Sequence, residues 1–185
     1  MDIETLKEAI TKLHEQYRIP HIMITSIALP SPGAEPSLSV VGSTMTSTAT
    51  PRIFGVKIPA IDCFFSGTGD MFAALMLVRL REAVFATADL ANKAAWVSDD
   101  DVNATDLPLA RATEKVLASM HDVLTKTKEK RDEEIKKYRA KVKGIGGEED
   151  HKTFRLVQSK AAEVRLVRNL NALKNPVVKF RAEKV

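Results

Sequence analysis

The 185-residue sequence lacks the features of secreted, membrane-spanning and disulfide-stabilised proteins. It has one cysteine, Cys63, so an internal disulfide is excluded. It contains no run of about 18 apolar residues, the length that a membrane-spanning helix needs. Its start, Met-Asp-Ile-Glu, is acidic and has neither the basic nor the apolar segment of a signal peptide. We therefore expect a cytoplasmic protein without a membrane partner, with the nucleus as a second location.

Several common catalytic and metal-binding patterns are also missing. The string Gly-x-x-x-x-Gly-Lys-Ser/Thr of P-loop nucleotide hydrolases does not occur. The four histidines are far apart, and no two of them have the spacing of zinc ligands. Cys63 has no histidine nearby in the sequence to activate it as a nucleophile. The acidic residues 99–101 lack the glycine and the alternate spacing of a calcium loop, so they predict a solvated loop or helix cap rather than a metal site.

Positive charge is concentrated in one stretch. Residues 126–143 hold nine Lys and Arg residues against four acids, whereas the net charge of the whole chain is +4. Such a stretch can bind nucleic acid, but Tyr138 is the only aromatic residue there for stacking on bases. Asp132 and Glu133 are spaced to pair with Lys136 and Lys137 on a helix. A solvated helix is therefore favoured over a nucleic-acid surface, which remains the alternative.

The most informative stretch is the turn Gly67-Thr68-Gly69-Asp70 and its flanks. An apolar run precedes it, and the apolar spacing after it predicts a helix at 69–84. The glycines allow a sharp turn and a close approach of the backbone to a ligand. The free N–H groups of the helix's first turn favour an anion. Asp70 would repel a phosphate, so it suits the role of proton acceptor for an attacking hydroxyl; a helix-capping aspartate is the alternative.

The rest of the pattern predicts an α/β protein. We expect an amphipathic helix at 2–18, strands near 22–27, 38–46 and 52–58, a helical segment at 86–97, and a terminal strand at 177–180. A long helix starts near Asp106, and its apolar stripe thins beyond Leu124. We therefore expect a charged helical extension at about 125–150, where the helix leaves the body of the domain or frays.

Three ordered segments resemble one enzyme family. The string Phe-Ser-Gly-Thr-Gly-Asp-Met-Phe-Ala-Ala-Leu at 65–75 resembles the C-terminal signature of pyridoxal kinases, in the ribokinase-like superfamily. Ile-Thr-Ser at 24–26 with Leu-Pro-Ser-Pro at 29–32, and Phe-Arg-Leu-Val-Gln-Ser-Lys at 154–160, resemble further segments of the same family. The resemblance implies a ribokinase-like, doubly wound and mostly parallel sheet with flanking helices, here lacking its N-terminal part. The whole chain, 1–185, would be the C-terminal portion of such a domain.

The resemblance also implies a reaction and a site. The reaction is ATP-dependent phosphorylation of pyridoxal and related B6 vitamers at the 5′-hydroxyl, with Mg²⁺ and in some cases a monovalent cation. Asp70 would be the catalytic base, and residues 67–69 the anion hole. For Thr25 and Ser26, the alternative to nucleotide binding is that their hydroxyls cap a turn. For residues 61–63, the alternative is that they belong to the core of a strand. The nucleotide-binding residues implied are Thr25, Ser26, Ile61, Asp62, Cys63, Gly67, Thr68 and Gly69.

Part of the family's pattern is not found in this sequence. The family's Asn-x-x-Glu element, which helps to order magnesium, has no match among the asparagines of this chain. We therefore expect the isolated chain to be inactive because the N-terminal half is absent, although the family otherwise implies a homodimer. The alternative function is that of a catalytically inactive, truncated paralogue that acts as a binding or structural partner.

Overall fold

The computed structural model describes residues 3–28, 36–144 and 150–185. The Leu-Pro-Ser-Pro segment at 29–32 therefore lies outside the described residues. In chain order the elements are α1 (Ile3–Tyr17), β1 (His21–Ile27), β2 (Ser37–Met45), β3 (Pro51–Pro59), α2 (Thr68–Phe85), α3 (Pro108–Gly144), α4 (His151–Ala161), α5 (Leu170–Lys174) and β4 (Ala182–Lys184). Short 3₁₀ turns lie at Leu90–Asn92, Ala94–Trp96, Ala104–Asp106 and Val167–Asn169. None of the described helices is long and apolar enough to cross a membrane.

The four described strands form one sheet in the order β1-β2-β3-β4, and every pair in it is antiparallel. The resemblance implied a mostly parallel sheet, but none of these four strands pairs in parallel with its neighbour. For β1, β2 and β3 the reason is the length of the connections, since parallel neighbours need a crossover of a dozen or more residues. The links from β1 to β2 and from β2 to β3 are shorter than that, so each strand must return alongside the previous one.

Three predicted strands and two predicted helices are confirmed to within a residue or so at each end. The strands were predicted at 22–27, 38–46 and 52–58, and the helices at 2–18 and 69–84. The helix predicted at 86–97 is wrong. That segment forms 3₁₀ turns in which Ala95 and Trp96 have positive φ angles, and His21 Nε2 donates to the Ala95 carbonyl at 2.8 Å. A tertiary hydrogen bond thus overrides a weak helical pattern, and Trp96 is only half-buried.

The terminal strand predicted at 177–180 is also wrong, because β4 lies at Ala182–Lys184. The buried Glu114 carboxylate determines this register. It accepts hydrogen bonds from the Ala182 N–H at 2.9 Å and from Arg181 at 3.0 Å, next to the pairing of Ala182 with Val56. These contacts depend on a residue nearly 70 positions away, which local sequence patterns do not reveal.

The chain divides into two compact units. The first comprises Met1–Ala60, Ala73–Ala118 and Val178–Val185, and the second Ile61–Phe72 and Ser119–Val177. In the second unit the charged part of α3 still has packed residues: Thr127 and Ile135 are buried, and Arg165 pairs with Glu134 at 2.7 Å. The charged helical extension of a kinase-like domain at about 125–150 stays a prediction. Residues 145–149 lie outside the described part of the chain.

The first unit has its core on both faces of the sheet. On one face Leu6 and Ile10 of α1 pack with Ile22, Val41 and Ile53 of the strands. The side chain of Phe54 is fully buried, and its ring lies over Gly42 of the neighbouring strand. A Cβ atom at position 42 would lie 2.3 Å from the ring's Cζ, so only glycine fits beneath this ring without movement.

Replacing Gly42 with alanine is expected to lower the free energy of unfolding by about 1–3 kcal/mol, because the added methyl group overpacks the core. Urea denaturation followed by circular dichroism measures the change. Gly69→Ala is the control, since nothing lies within 4 Å of a Cβ built there. An unfolding midpoint for Gly42→Ala equal to that of the unmodified chain would contradict the close packing.

Two neutral histidines join α1 and β1 to β2. His14 is fully buried; its Nδ1–H donates to the Ile19 carbonyl at 2.6 Å and its Nε2 accepts from the Ser43 hydroxyl at 2.8 Å. His21 accepts from the Thr44 hydroxyl through Nδ1 at 2.9 Å. Burial lowers the pKa of both imidazoles below the usual 6.5, so the folded state favours their neutral forms.

Lowering the pH from about 7.5 to about 5 should therefore decrease the free energy of unfolding. The unfolded histidines take up protons near pH 6.5 while the folded ones resist, so stability is lost as the pH falls through 6.5 toward the folded pKa values. Urea titrations at several pH values measure the slope. His14→Gln should reduce the slope and His151→Gln, at an exposed position, should not. A free energy of unfolding that does not change over this pH range in the unmodified protein would show that protonation of His14 and His21 does not destabilise the folded state.

Candidate functional site

The turn before α2 has the open geometry that the sequence predicted. Gly67 has φ +80°, a left-handed conformation that disfavours other residues, and α2 begins at the next residue. The first hydrogen bond of the helix runs from the Met71 N–H to the Gly67 carbonyl at 3.1 Å. The N–H groups of residues 68–70 precede that bond, so the helix itself does not use them. Nothing lies within 4 Å of a Cβ built at Gly67 or Gly69, which leaves space for a ligand against the backbone.

Asp70 lies in the first turn of α2, and its side chain is exposed. Its carboxylate is therefore held on a helix start, beside the N–H groups that favour an anion. This arrangement places a hydrogen-bond acceptor next to a site for negative charge. Such a pair can receive a proton from a hydroxyl while the backbone stabilises a phosphoryl group.

Residues 61–63 form a turn after β3 and not a strand. The Cys63 N–H donates to the Ile61 carbonyl at 2.7 Å, which closes a three-residue turn. Asp62 is exposed, while Ile61 and Cys63 are half-buried. The strand-core alternative is therefore wrong, and the segment is a loop of the kind on which binding residues are often carried.

Lys128 of α3 is electrostatically coupled to this loop, which the sequence did not indicate. The pKa of Lys128 is raised, first by its hydrogen bond to Asp132 at 3.0 Å and further by Asp62 and Cys63. Lys128 is about 65 positions away in the sequence and lies within the charged stretch. No motif distinguishes it there from the other lysines, so only the fold of the second unit could identify it.

Thr25 and Ser26 lie in a β-bulge of β1. The register shifts between the pairs Ile24–Val41 and Ile27–Ser39, and Ser26 has φ +60°. Both side chains are exposed. The strand continues past these residues to Ile27, where the sequence predicted its end. Bulges are common beside active sites, where they redirect side chains away from the regular pleat.

The predicted nucleotide residues are divided between the two units. Thr25 and Ser26 belong to the first, and residues 61–63 and 67–70 to the second. Each group is locally exposed or half-exposed, as a binding surface requires. Their convergence on one nucleotide stays a prediction.

Of the acidic residues 99–101, Asp99 and Asp100 are engaged in structural contacts within the first unit. Asp100 accepts from the Ser47 N–H at 2.8 Å and from its hydroxyl at 2.6 Å, and these bonds lower the pKa of Asp100. Asp99 pairs with Lys93 at 2.6 Å. Within residues 3–28, 36–144 and 150–185, no group of three His, Cys, Asp or Glu side chains could hold a metal ion.

Comparison with known proteins identifies relatives in sequence, although no family model matches the chain. Two candidate pyridoxal kinases of Schizosaccharomyces pombe are 28% identical over 180 residues and 30% identical over 182 residues. The alignments cover 97% and 96% of this chain but 47% of each relative. The chain thus spans about half the length of the curated relatives it matches.

Solved structures agree in fold. The pyridoxal kinase of Leishmania donovani in complex with ADP superposes with a TM-score of 0.62 at 19% identity, covering the whole of this chain and 46% of that one. The same kinase with ADP and pyridoxine gives 0.60 at 18% identity. The ribokinase-like fold class is therefore confirmed, and the coverage is consistent with a C-terminal portion. By sequence and by fold, this chain is related to pyridoxal kinases and corresponds to about half of such a protein.

Proposed function

We propose that this chain is the part of a pyridoxal kinase that carries the nucleotide site and the catalytic base. With the other half of the fold present, it would phosphorylate pyridoxal and related B6 vitamers at the 5′-hydroxyl with ATP, giving pyridoxal 5′-phosphate. The names of the sequence relatives and the ADP and pyridoxine in the solved neighbours support this reaction class. A cytoplasmic location and a homodimer remain predictions of the same proposal.

The observation that carries the proposal is the open turn at the start of α2. Gly67 is left-handed, both glycines have free space beside them, and Asp70 is exposed in the first turn of the helix. The N–H groups of residues 67–69 would hold the charge that develops on the transferred phosphoryl group. Asp70 would accept the proton of the 5′-hydroxyl as its oxygen attacks the γ-phosphorus and ADP leaves.

A carboxylate at this position would weaken phosphate binding through repulsion, so its presence needs a chemical reason. Proton acceptance supplies one, because the attacking hydroxyl must lose its proton during transfer. The described residues offer no cluster of three metal ligands, so Mg²⁺ would be held mostly by the nucleotide phosphates and water, as is usual for this ion. When bound, Mg²⁺ would neutralise phosphate charge.

Nucleotide contacts would come from residues of both units. Thr25 and Ser26 would bind phosphate oxygens through their hydroxyls, which the bulge leaves exposed. Residues 61–63 would lie along the nucleotide. The backbone of residues 67–69 would complete the phosphate site.

ADP is expected to bind this chain, and Gly67→Ala is expected to weaken binding about tenfold. An alanine at φ +80° costs about 1–2 kcal/mol, so the free turn of the variant relaxes out of this conformation and ADP binding must restore it. A cost of about 1.4 kcal/mol is tenfold in affinity. Isothermal titration calorimetry with ADP measures both affinities. Gly144→Ala is the matched control, since it also meets open space but lies at the end of α3. Absence of ADP binding, or equal affinity of Gly67→Ala, would argue against the glycine turn as a phosphate site.

A catalytically inactive paralogue that binds a partner is the second candidate. It rests on the same relatives, of which this chain matches 47% of the length. The two candidates differ in one outcome. An inactive paralogue would form its complex and still yield no pyridoxal 5′-phosphate.

A further inference from the structure

The acids of the charged stretch do not neutralise the end of α3. The sequence predicts pairs of Asp132 with Lys136 and of Glu133 with Lys137. Both acids instead pair with cations that precede them in the helix, at distances of 3.0, 2.8 and 2.7 Å: Lys128 and Arg131 for the first acid, and Lys130 for the second. The pairs that favoured a solvated helix over a nucleic-acid surface are therefore not those that form.

Positive charge accumulates where the end of α3 meets α4 in the second unit. Residues 136–161 hold eight Lys and Arg residues against three acids, which all lie at 148–150. One of these acids, Asp150, is the N-cap of α4, and its carboxylate accepts from the N–H groups of Lys152 and Thr153. The two helices themselves carry only cations over 136–144 and 151–161. All eight cations are exposed: Lys136, Lys137, Arg139, Lys141, Lys143, Lys152, Arg155 and Lys160. We call these eight residues the basic surface.

A groove between the two helices gives part of this charge a defined place. Its volume is about 400 Å³. Three cations line it, Arg131, Lys136 and Arg139, against one acid, Asp132, which is already paired. The Gln158 amide also lines the groove and can donate hydrogen bonds. An anionic group with several acceptor oxygens, such as a phosphate, fits this lining.

The aromatic rings beside the groove are packed against each other. Tyr138 and Phe154 are stacked with their centroids 6.1 Å apart, and the Arg139 guanidinium lies 4.8 Å from the centre of the Phe154 ring. Both rings are half-buried. Proteins that bind single strands stack unpaired bases on aromatic side chains, which these packed rings do not offer. The surface therefore suits contact with a phosphate backbone rather than with bases.

The basic surface has little of what a protein partner or a membrane requires. The centres of protein interfaces are rich in aromatic residues and poor in lysine, and a helix that lies on a membrane buries an apolar face. Among the exposed large apolar side chains of the described residues, none lies on α3 and only Leu156 lies on α4. Contacts to nucleic-acid phosphates, in contrast, need Lys and Arg and no apolar face.

We propose that the basic surface binds the phosphate backbone of double-stranded nucleic acid without regard to sequence. Lys136, Arg139 and the Gln158 amide donate to phosphate oxygens at the groove. Lys143 follows Arg139 by four residues on the same side of α3 and extends the contact along the backbone. This activity lies in the second unit and does not depend on the proposed kinase reaction or on Asp70.

Fluorescence anisotropy of a labelled DNA duplex, titrated with the chain at several salt concentrations, tests the proposal. If three cations each neutralise a phosphate, the logarithm of the binding constant falls with the logarithm of the salt concentration with a slope of about −2.7. Raising the salt from about 50 to about 200 mM should then weaken binding about 40-fold. Lys136→Gln should make the slope shallower by about 0.9, and Lys143→Gln should act alike.

Lys126→Gln is the matched control on the same helix. It removes the same charge, but from a lysine that is paired with Asp122 at 2.8 Å, so the slope should be unchanged. Glutamine forms helices about as readily as lysine, and the replaced lysines are exposed, so the variants should keep the helix content of the unmodified chain. Circular dichroism verifies this.

Several results would overturn the proposal. These are no binding at about 50 mM salt, where phosphate contacts are strong, or equal slopes for the unmodified chain and both groove-side variants. Tighter binding to the single strand of the same sequence would contradict the preference for a duplex. Equal affinity for polyglutamate or for vesicles containing phosphatidylserine would assign the surface to an acidic protein or a membrane instead. Displacement of the duplex by ADP would place its phosphates at the glycine turn and not on the basic surface.

Discussion

Asp70→Asn is expected to lower the rate of pyridoxal 5′-phosphate formation by about 10²–10⁴-fold in the completed kinase, the usual contribution of a general base. Asparagine keeps the shape of the side chain and its place on the first turn of α2, but it cannot accept the proton of the attacking hydroxyl. The same change removes a negative charge beside the phosphate site. ATP binding should therefore be retained or become tighter, and the loss should fall on turnover.

Two measurements separate these effects. Steady-state kinetics of the chain with its complementary half gives turnover, and calorimetric titration of the chain alone with ATP gives affinity. Asp89→Asn is the matched control, because Asp89 is exposed in the loop after α2 with φ 56°, a conformation that asparagine also adopts. Equal turnover of the Asp70→Asn and unmodified proteins would remove Asp70 from the mechanism. Loss of ATP binding would assign it a binding role instead.

Phe54→Ala is expected to lower the free energy of unfolding by about 3–5 kcal/mol, as is typical when a buried Phe is truncated to Ala. Phe54 is fully buried in β3, between β2 and β4, and its ring covers Gly42. Truncation removes this contact and leaves a cavity that the two neighbouring strands cannot close without bending. Since a small domain is stable by about 5–15 kcal/mol, the variant should be close to unfolding at physiological temperature.

Chemical denaturation in urea, followed by far-ultraviolet circular dichroism, measures this loss. Phe64→Ala is the matched control: Phe64 is 86% exposed in the loop before the glycine turn, so its truncation should change stability by no more than about 0.5 kcal/mol. Similar losses for the two variants would contradict the placement of Phe54 in the core.

The glycine turn could be predicted from the sequence because its requirements are local. A left-handed Gly67 and an acidic residue in the first helical turn follow from residue types within a few positions of one another. Strands β1, β2 and β3 could be predicted equally well, since β-branched runs and turn residues mark them directly. These elements hold the candidate site residues named from the sequence, except residues 61–63, which lie in the loop between β3 and the glycine turn.

What could not be predicted depends on contacts between distant positions. The bulge at Thr25 and Ser26 arises from pairing with β2, and the register of β4 from the Glu114 carboxylate. Likewise, the electrostatic coupling of Lys128 to Asp62 depends on how α3 packs within the second unit. The 3₁₀ turns at 86–97 show the same limit, because His21 fixes Ala95 from 74 positions away.

The most direct measurement of the central claim is the formation of pyridoxal 5′-phosphate from pyridoxal and ATP. It is made with this chain alone, with the complementary half of a relative alone, and with the two together. The account predicts product only when both halves are present, and its loss on Asp70→Asn. A stable complex of the two halves that binds ADP and forms no product would contradict it, and so would turnover by this chain alone.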